Sequence, residues 1–370
     1  MMTVPQEILW PIESHTKAKH EILRKYLQRW FPILNKYNKI LNYIDGFCGP
    51  GRYKGGEPGS PLIALNVALN QQLSGNIIFL FVDERSDRIE HLKNELKELS
   101  IPSNFKVYVN TGAFDKILSD TLDGFDRSQD KLAPTFALID PFGFSGVPFE
   151  LVRRLLCNRS CEVLITFMID SINRWITHPD QKIQRNIADL FGTSDCFDII
   201  KQSNNRINAL RNLYQEQLKK EAKFVRYFEM SDCDNRVIYY LFFASNNRLG
   251  YVKMKEVMWD VDSRGEFRFS DATNPQQKFF FEEDHADILW SILYQQFSGK
   301  EVLTDLIITF VEEETLYLKK HMNATLREHL NESLPPDKRI TVRGKKVDGK
   351  KWKRGTFPEG VIVKFPEYTV

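Results

Sequence analysis

The sequence lacks the glycine motifs that mark several common enzyme classes. It contains neither Gly-x-Gly-x-x-Gly nor Gly-x-x-x-x-Gly-Lys-Ser/Thr, the phosphate-binding loops of dinucleotide-binding proteins and P-loop NTPases. The Gly-x-Ser-x-Gly turn of the α/β-hydrolases is absent too. These absences argue against a nicotinamide dehydrogenase and against a hydrolase of that class.

Cysteine, histidine and long apolar runs are also scarce. The five cysteines are scattered, and no secretory signal precedes them, so we expect a reducing, cytoplasmic location. Cys157 and Cys161 lack the four-ligand spacing of a zinc site, and no two histidines are four residues apart. We therefore predict no metal site. No apolar run reaches about 18 residues, so no membrane segment is predicted.

The chain has 370 residues, of which 42% are hydrophobic and 27% charged, as in ordinary folded proteins. This length favours two domains. The net charge of +2 gives no overall attraction to nucleic acid, but the charge is uneven. Residues 338–354 hold nine lysines or arginines and one aspartate, a charge of +8, so the other residues sum to 2 − 8 = −6.

Short apolar runs alternate with helical patterns from residue 39 onward. The five predicted strands, each followed by a helix, are 39–45, 76–84, 105–112, 135–143 and 161–168. Continuous apolar strands separated by helices indicate a parallel sheet covered on both faces. A helical insertion is expected at about 170–220. The runs 222–230 and 236–246 are joined by five residues, which requires an antiparallel hairpin.

An amphipathic helix precedes the first strand. Its apolar stripe contains Ile22, Leu23, Tyr26, Leu27 and Trp30. Its basic residues Lys17, Lys19, Arg24 and Lys25 are expected outside that stripe.

The end of the chain has a different pattern. Three helices are predicted at 284–297, 301–313 and 315–331, followed by a two-stranded ribbon. We therefore predict a doubly wound, mostly parallel, Rossmann-like methyltransferase sheet ending in an antiparallel hairpin at 1–280. A small winged-helix-like domain is predicted at 281–370.

The most unusual stretch is YIDGFCGPGRYKGGEPGSPLIAL, residues 43–65. Asp45 ends the first strand, and six glycines follow within fourteen residues. Ligands of parallel sheets bind outside the carboxyl ends of strands, and glycines leave room for a ligand against the backbone. An acid repels pyrophosphate but suits a cation, such as the ammonium group of S-adenosylmethionine.

Polar residues also end the second and third strands. Asp83 lies where an acid binds the two hydroxyls of a ribose in dinucleotide folds. The candidate cofactor-binding residues are Asp45, Phe47, Gly49, Gly51, Asp83, Glu84 and Thr111. Alternatives stay open, because Asp45 could cap a turn and Asp83 could cap the next helix. Asn246 and Asn247, just beyond the last strand, are further candidates.

The fourth strand ends in Asp140-Pro141-Phe142-Gly143. Enzymes that methylate the amino groups of adenine or cytosine carry Asp/Asn-Pro-Pro-Tyr/Phe here, where the polar residue accepts hydrogen bonds from the amine and the aromatic residue stacks on the flipped base. The candidate catalytic residues are thus Asp140, Pro141 and Phe142, with Phe144 as a second stacking residue. The aromatic residue stands one position early, which argues against base methylation, and Asp140 could simply open a turn.

Three stretches together resemble the three-Cys-motif partner proteins: the glycine-rich stretch, ALIDPFGFSGVP and YLFFASNNRLGYVKMKEVMW. The resemblance implies a methyltransferase-like Rossmann domain, an S-adenosylmethionine pocket and a three-Cys-motif protein as partner. Two hypotheses follow: a methyltransferase acting on nucleic acid, or a non-catalytic adaptor that binds a nucleoside, the partner or nucleic acid.

The basic segment is the candidate contact with DNA or RNA. Its predicted nucleic-acid-binding residues are Lys345, Lys346, Lys350, Lys351, Trp352, Lys353 and Arg354, with Phe357 as a further aromatic contact. The alternatives are a solvated hairpin and a protein-docking surface.

Overall fold

The computed structural model describes residues 5–262, 265–272, 285–345 and 347–367. The chain divides into two units. One comprises Met1–Ser263 and Phe267–Pro275, and the other Arg264–Glu266 and Gln276–Val370. The domain boundary predicted at 280/281 lies outside the described residues.

An eight-stranded sheet forms the centre of the first unit. Its strands are β1 (Ile40–Asp45), β2 (Asn76–Asp83), β3 (Phe105–Thr111), β4 (Thr135–Ile139), β5 (Cys161–Phe167), β6 (Phe224–Ser231), β7 (Val237–Ser245) and β8 (Arg268–Ser270). Their spatial order is β3-β2-β1-β4-β5-β7-β6-β8. Strands β1 to β5 pair in parallel, whereas β7 is antiparallel to both β5 and β6. The predicted mostly parallel sheet ending in an antiparallel hairpin is confirmed.

Ten helices of the described residues belong to this unit. They are α1 (Ser14–Asn35), α2 (Ser60–Leu69), α3 (Ser86–Lys97), α4 (Phe114–Ser128), α5 (Phe149–Cys157), α6 (Ile169–Trp175), α7 (Gln181–Phe191), α8 (Cys196–Gln202), α9 (Arg206–Glu221) and α10 (Arg248–Val261). Helix α1 packs against α2 and α10, while α5 packs against α4, α7 and α9. Helices α6 to α9 fill the segment predicted as a helical insertion.

Both faces of the central strands are covered, which explains their continuous apolar sequences. Every residue of β4 and β5 is buried. On one face, Tyr26 and Trp30 of α1 pack their rings against Phe136 of β4. On the other face, Phe167 of β5 stacks on Tyr214 of α9, with ring centres 4.3 Å apart. Among the described helices, none combines the length and apolar character needed to cross a lipid bilayer.

The described residues of the second unit form three α-helices, a short 3-10 helix at Pro336–Lys338 and a small antiparallel sheet. In chain order its elements are α11 (His285–Phe297), β9 (Glu301–Leu303), α12 (Thr304–Glu314), α13 (Lys319–Glu328), β10 (Thr341–Gly344) and β11 (Val361–Lys364). The sheet order is β10-β11-β9. The predicted helix from residue 301 is wrong at its start, because Val302 pairs with Val363 and adds a third strand to the predicted ribbon.

Candidate functional site

The strand order of the sheet reverses between β1 and β4. Successive strands run outward from β1 in one direction and from β4 in the other, and ligands of such sheets bind where the order reverses. Asp45 is the last residue of β1 and Asp140 directly follows β4. Asp45 lies beside Leu138 of β4 in the strand register.

The glycine-rich turn is fixed to both neighbouring strands. The N–H of Gly46 donates to the carbonyl of Leu138 at 3.0 Å, and the N–H of Cys48 donates to the carbonyl of Val82 at 2.9 Å. Gly49 and Gly51 have φ angles of 62° and 85°, a region that side chains other than glycine rarely adopt. The turn therefore needs glycine at these two positions.

Asp45 is a fully buried carboxylate without a cation partner among the described residues. Its Oδ1 accepts from the N–H of Phe47 at 3.4 Å, and its Oδ2 has no hydrogen-bond partner. Burial, together with the charges of Asp140 and Asp83, raises the pKa of Asp45 to about 7, although the nearby Ser60 hydroxyl and the Phe47 N–H oppose this rise. A cation placed here would favour the ionised form.

Asp83 links the end of β2 to the glycine-rich turn. Its carboxylate accepts from the N–H of Gly49 at 3.0 Å and from the N–H of Arg85 at 2.9 Å. The acid therefore organises the turn, whereas its contact with a ribose stays a prediction. Glu84 and Thr111 are exposed, and Thr111 lies opposite Asp83 in β3.

The remaining cofactor candidate, Phe47, is half-buried. Its ring packs against Phe114 of α4 with the ring centres 5.4 Å apart. Phe47 therefore belongs partly to the hydrophobic core beneath the turn.

Asp140 forms an ion pair with Lys19 of α1. The Lys19 Nζ lies 2.5 Å from Oδ2 of Asp140 and 5.3 Å from the ring centre of Tyr239. Burial alone would raise the pKa of Asp140, but the charge and hydrogen bond of Lys19 hold it below its ordinary value. The prediction that Lys19 lies outside the apolar stripe is wrong, since the residue is only 7% exposed. Lys19 precedes Ile22 by three residues and so lies on the same helix face.

An aromatic and cationic cluster borders the turn. A methyl group at Gly49 would lie 3.6 Å from the indole of Trp10. The Arg88 guanidinium lies 4.7 Å from the Trp10 ring centre and 5.5 Å from that of Phe142. The two rings are 5.8 Å apart. Phe142 is thus half-buried in this cluster, and Pro141 before it is buried.

The N-terminal segment that carries Trp10 is held by Arg88 of α3 and by Arg85, the residue directly before that helix. The carbonyl of Pro5 accepts from Arg88 at 2.7 Å and from Arg85 at 2.9 Å, and the carbonyl of Trp10 accepts from the N–H of Lys54 at 2.9 Å. No sequence pattern points to this segment, because it precedes the first helix and has no hydrophobic periodicity.

The two asparagines predicted near the site lie elsewhere. Because β7 runs antiparallel to β5, Asn246 and Asn247 follow it at the opposite edge of the sheet. Asn246 donates to the carbonyl of Leu156 at 3.1 Å, and Asn247 caps α10 by accepting from the N–H of Gly250 at 3.2 Å. The two asparagines were predicted to lie where the parallel strands end, beside Asp45 and Asp140, which we call the carboxyl edge. That prediction is wrong.

The predicted basic contact residues of the second unit lie between β10 and β11. The exposed ones are Lys345, Lys350, Lys351, Lys353 and Arg354, and Trp352 is half-buried. Lys346 lies outside the described residues. Phe357 is only 2% exposed, so its predicted contact with nucleic acid is wrong, and it belongs to the core of this unit.

Comparisons with known proteins give low similarity. No family model matches the chain, and no curated protein matches it. A Legionella pneumophila protein described as DUF519 is 13% identical, with 69% of this chain and 94% of that chain covered and a TM-score of 0.42. A plantazolicin methyltransferase bound to SAH is 13% identical, with 63% and 86% covered and a TM-score of 0.28.

A geranyl diphosphate methyltransferase bound to GPP and sinefungin is 11% identical, with 59% of this chain and 78% of that chain covered and a TM-score of 0.24. Scores of this size carry no argument about function. The methyltransferase-like fold therefore rests on the order and direction of the strands.

Asp45→Asn should remove a pH dependence of stability. Because folding raises the pKa of Asp45 from 3.8 to about 7, the folded protein holds this proton more tightly than the unfolded chain. The carboxyl then destabilises the fold as pH rises from about 4 to about 7. Over this interval the free energy of unfolding of the wild type should fall by on the order of 2–4 kcal/mol. The variant should not show this decrease. Chemical denaturation at about pH 4.5 and about pH 8 measures the difference.

Asp83→Asn serves as the control. It alters a carboxylate whose partners are backbone N–H groups, so it should destabilise the protein. It removes only the smallest of the effects that raise the pKa of Asp45, so most of the pH dependence due to Asp45 should remain. If the free energy of unfolding depends on pH equally in wild type and in Asp45→Asn, Asp45 does not carry an uncompensated charge in the folded protein.

Proposed function

We propose that the first unit binds S-adenosylmethionine and transfers its methyl group to nucleic acid, together with a three-Cys-motif protein. The observation that carries the proposal is the buried carboxylate of Asp45 with its unpartnered Oδ2, beside a glycine-rich turn at the point where the strand order reverses. An ammonium group is the partner that such a carboxylate lacks.

The surrounding residues fit the rest of this cofactor. The turn at Gly49 and Gly51 offers backbone without side chains, and Asp83 has the acceptor oxygens that ribose hydroxyls require. The exposed Glu84 and Thr111 extend the same edge. When bound, the cofactor supplies an electrophilic methyl group on a sulfonium. The chain's own residues bind and orient the reactants and exclude water from them.

Asp140 is proposed to orient the amine that receives the methyl group. Lys19 keeps this carboxylate ionised, so it accepts hydrogen bonds rather than donating them. A carboxylate has about four lone-pair positions, and Lys19 uses one of them. The target amine therefore binds beside Lys19.

The second unit is proposed to be a winged helix that contacts phosphates. Its order of helix, strand, two helices and two strands supports this interpretation. The five exposed basic residues between β10 and β11 suit counterion-releasing contacts with a nucleic-acid backbone. The proposal of a partner protein rests on the resemblance to the three-Cys-motif partner proteins.

A non-catalytic adaptor is the second candidate. Two observations favour it: Lys19 already occupies Asp140, and Phe142 packs on Trp10 and Arg88. Cofactor binding without turnover would identify this alternative.

Binding of S-adenosylhomocysteine, which keeps the ammonium group, should depend on Asp45. Calorimetry should show affinity rising as pH passes about 7, because the ionised carboxylate binds the ammonium. Asp45→Asn should bind about tenfold or more weakly and lose the pH dependence, as expected for loss of a charge-assisted hydrogen bond. Asp260→Asn, a partly exposed carboxylate on α10, should behave as wild type. Undetectable binding to wild type would refute the cofactor site.

Methyl transfer should require Asp140. Wild type incubated with labelled cofactor and DNA or RNA, with and without the three-Cys-motif protein, should label the nucleic acid. Asp140→Ala should lower the rate by about 100-fold or more while retaining cofactor binding, since it removes an orienting group. Glu150→Gln, an exposed carboxylate of α5, is the control. Cofactor binding with no labelled product supports the adaptor instead.

The basic loop should determine the salt dependence of nucleic-acid binding. Replacing Lys350, Lys351, Lys353 and Arg354 by alanine should reduce the slope of log affinity against log salt by about 3–4 for duplex DNA. Fluorescence anisotropy over a salt series measures this slope. The matched control replaces four exposed basic residues of α7 and α9, namely Lys182, Arg185, Arg206 and Lys219. An equal effect of both sets would argue against a specific contact surface.

A further inference from the structure

A second candidate site lies at the opposite end of the same sheet, where the parallel strands begin, which we call the amino edge. A cavity of about 220 Å³ is bounded by α1, by α10 and by residues at the starts of β4 and β5. Tyr26, Trp30, Glu162 and Gly250 line it, and none of the residues predicted to bind the cofactor does. The cavity is thus separate from the carboxyl edge.

Glu162 is a buried carboxylate at this cavity. It is 4% exposed and accepts from the Tyr26 hydroxyl at 2.5 Å and from the Ser245 hydroxyl at 2.8 Å. It forms no ion pair with a lysine or arginine in the described part of the chain. Burial raises its pKa, although Tyr26, Ser245 and Trp30 oppose this. A buried carboxylate without a cation is costly even when it is hydrogen-bonded.

The basic residues at the cavity have other partners. Arg29 pairs with Asp260 at 3.2 Å, and Lys253 pairs with Glu256 at 2.9 Å. Their charges are therefore compensated locally, and the charge of Glu162 is not.

The local structure preserves the cavity and the position of this carboxylate. A Cβ at Gly250 would lie 1.9 Å from Oε1 of Glu162, so any other residue at 250 would displace the carboxylate. The Trp30 Nε1–H is buried without a well-formed hydrogen bond. Aromatic rings of Tyr26 and Trp30 stand beside the negative charge, and aromatic faces attract cations.

We propose that this cavity binds a small amine with an apolar group, whose ammonium pairs with Glu162. The apolar lining from Ile33, Leu34, Pro134 and Leu249 receives the rest of the molecule. The volume fits, because a cavity of about 150 Å³ holds benzene, and 220 Å³ leaves room for a short aminoalkyl chain. The proposal does not depend on the cofactor site.

Phenethylamine is the probe for calorimetry and thermal unfolding. Wild type should bind it at least about tenfold more tightly than 2-phenylethanol, which has a hydroxyl group in place of the ammonium, because a charge-assisted hydrogen bond is worth about twice a neutral one. Phenylalanine adds a carboxylate and tests whether a free amino acid is the occupant: tighter binding than phenethylamine identifies one, and weaker binding identifies a simple amine.

Two variants and one control complete the test. Glu162→Gln should abolish the preference for amine over alcohol. Leu249→Trp, at a position 49% exposed and therefore tolerant, should obstruct the cavity and weaken binding about tenfold, as lost apolar contact predicts. Glu21→Gln, a partly exposed carboxylate of α1 that pairs with Arg24 outside the cavity, should match wild type. The proposal is overturned if wild type shows no preference for the amine, or if Glu162→Gln keeps that preference.

Discussion

The ion pair between Lys19 and Asp140 compensates one carboxylate at the carboxyl edge of the sheet and leaves Asp45 without a cation. Both acids are close enough for the charge of Asp140 to raise the pKa of Asp45. Removing a charge from water is costly unless an opposite charge replaces the water. Asp45 therefore lacks a compensating charge among the described residues, and the proposed ligand would supply the missing cation. The proposed cofactor role of this edge depends on that deficit.

Helix α1 supplies groups to both edges of the sheet. Lys19 lies near its start and reaches Asp140, while Tyr26 and Trp30, further along, reach Glu162. The eleven residue steps from Lys19 to Trp30 rise about 16 Å along the helix, which carries it from one edge of the sheet to the other. The two acids have different partners: the half-buried Asp140 pairs with a cation, whereas the buried Glu162 accepts hydrogen bonds from two hydroxyl groups. That difference makes the amino edge a candidate site for an ammonium ligand.

The central sheet was predictable because its strands are buried on both faces. Continuous apolar runs such as those of β4 and β5 identify such strands directly, and the acids that follow them can be placed at one edge. Contacts between distant residues were not predictable. Lys19 and Asp140 are 121 positions apart, and nothing local links them. Trp10 lies in an aperiodic segment. Phe357 was assigned to the surface because it lies among basic residues, although packing buries it.

The ion pair at Asp140 does not by itself argue against an amine acceptor. Lys19 uses one lone-pair position of a carboxylate that has about four, and it keeps the group in the ionised form that accepts amine hydrogens. The aromatic partner is the stronger constraint. The ring of Phe142 already contacts Trp10 and Arg88, and Gly143 after it has no side chain. For Phe142 to stack on a flipped base, its ring would therefore have to leave these contacts. For Phe144 to do so, its ring would have to leave the hydrophobic core against which it packs. Methylation of a base thus carries a packing cost that methylation of an unstacked amine does not.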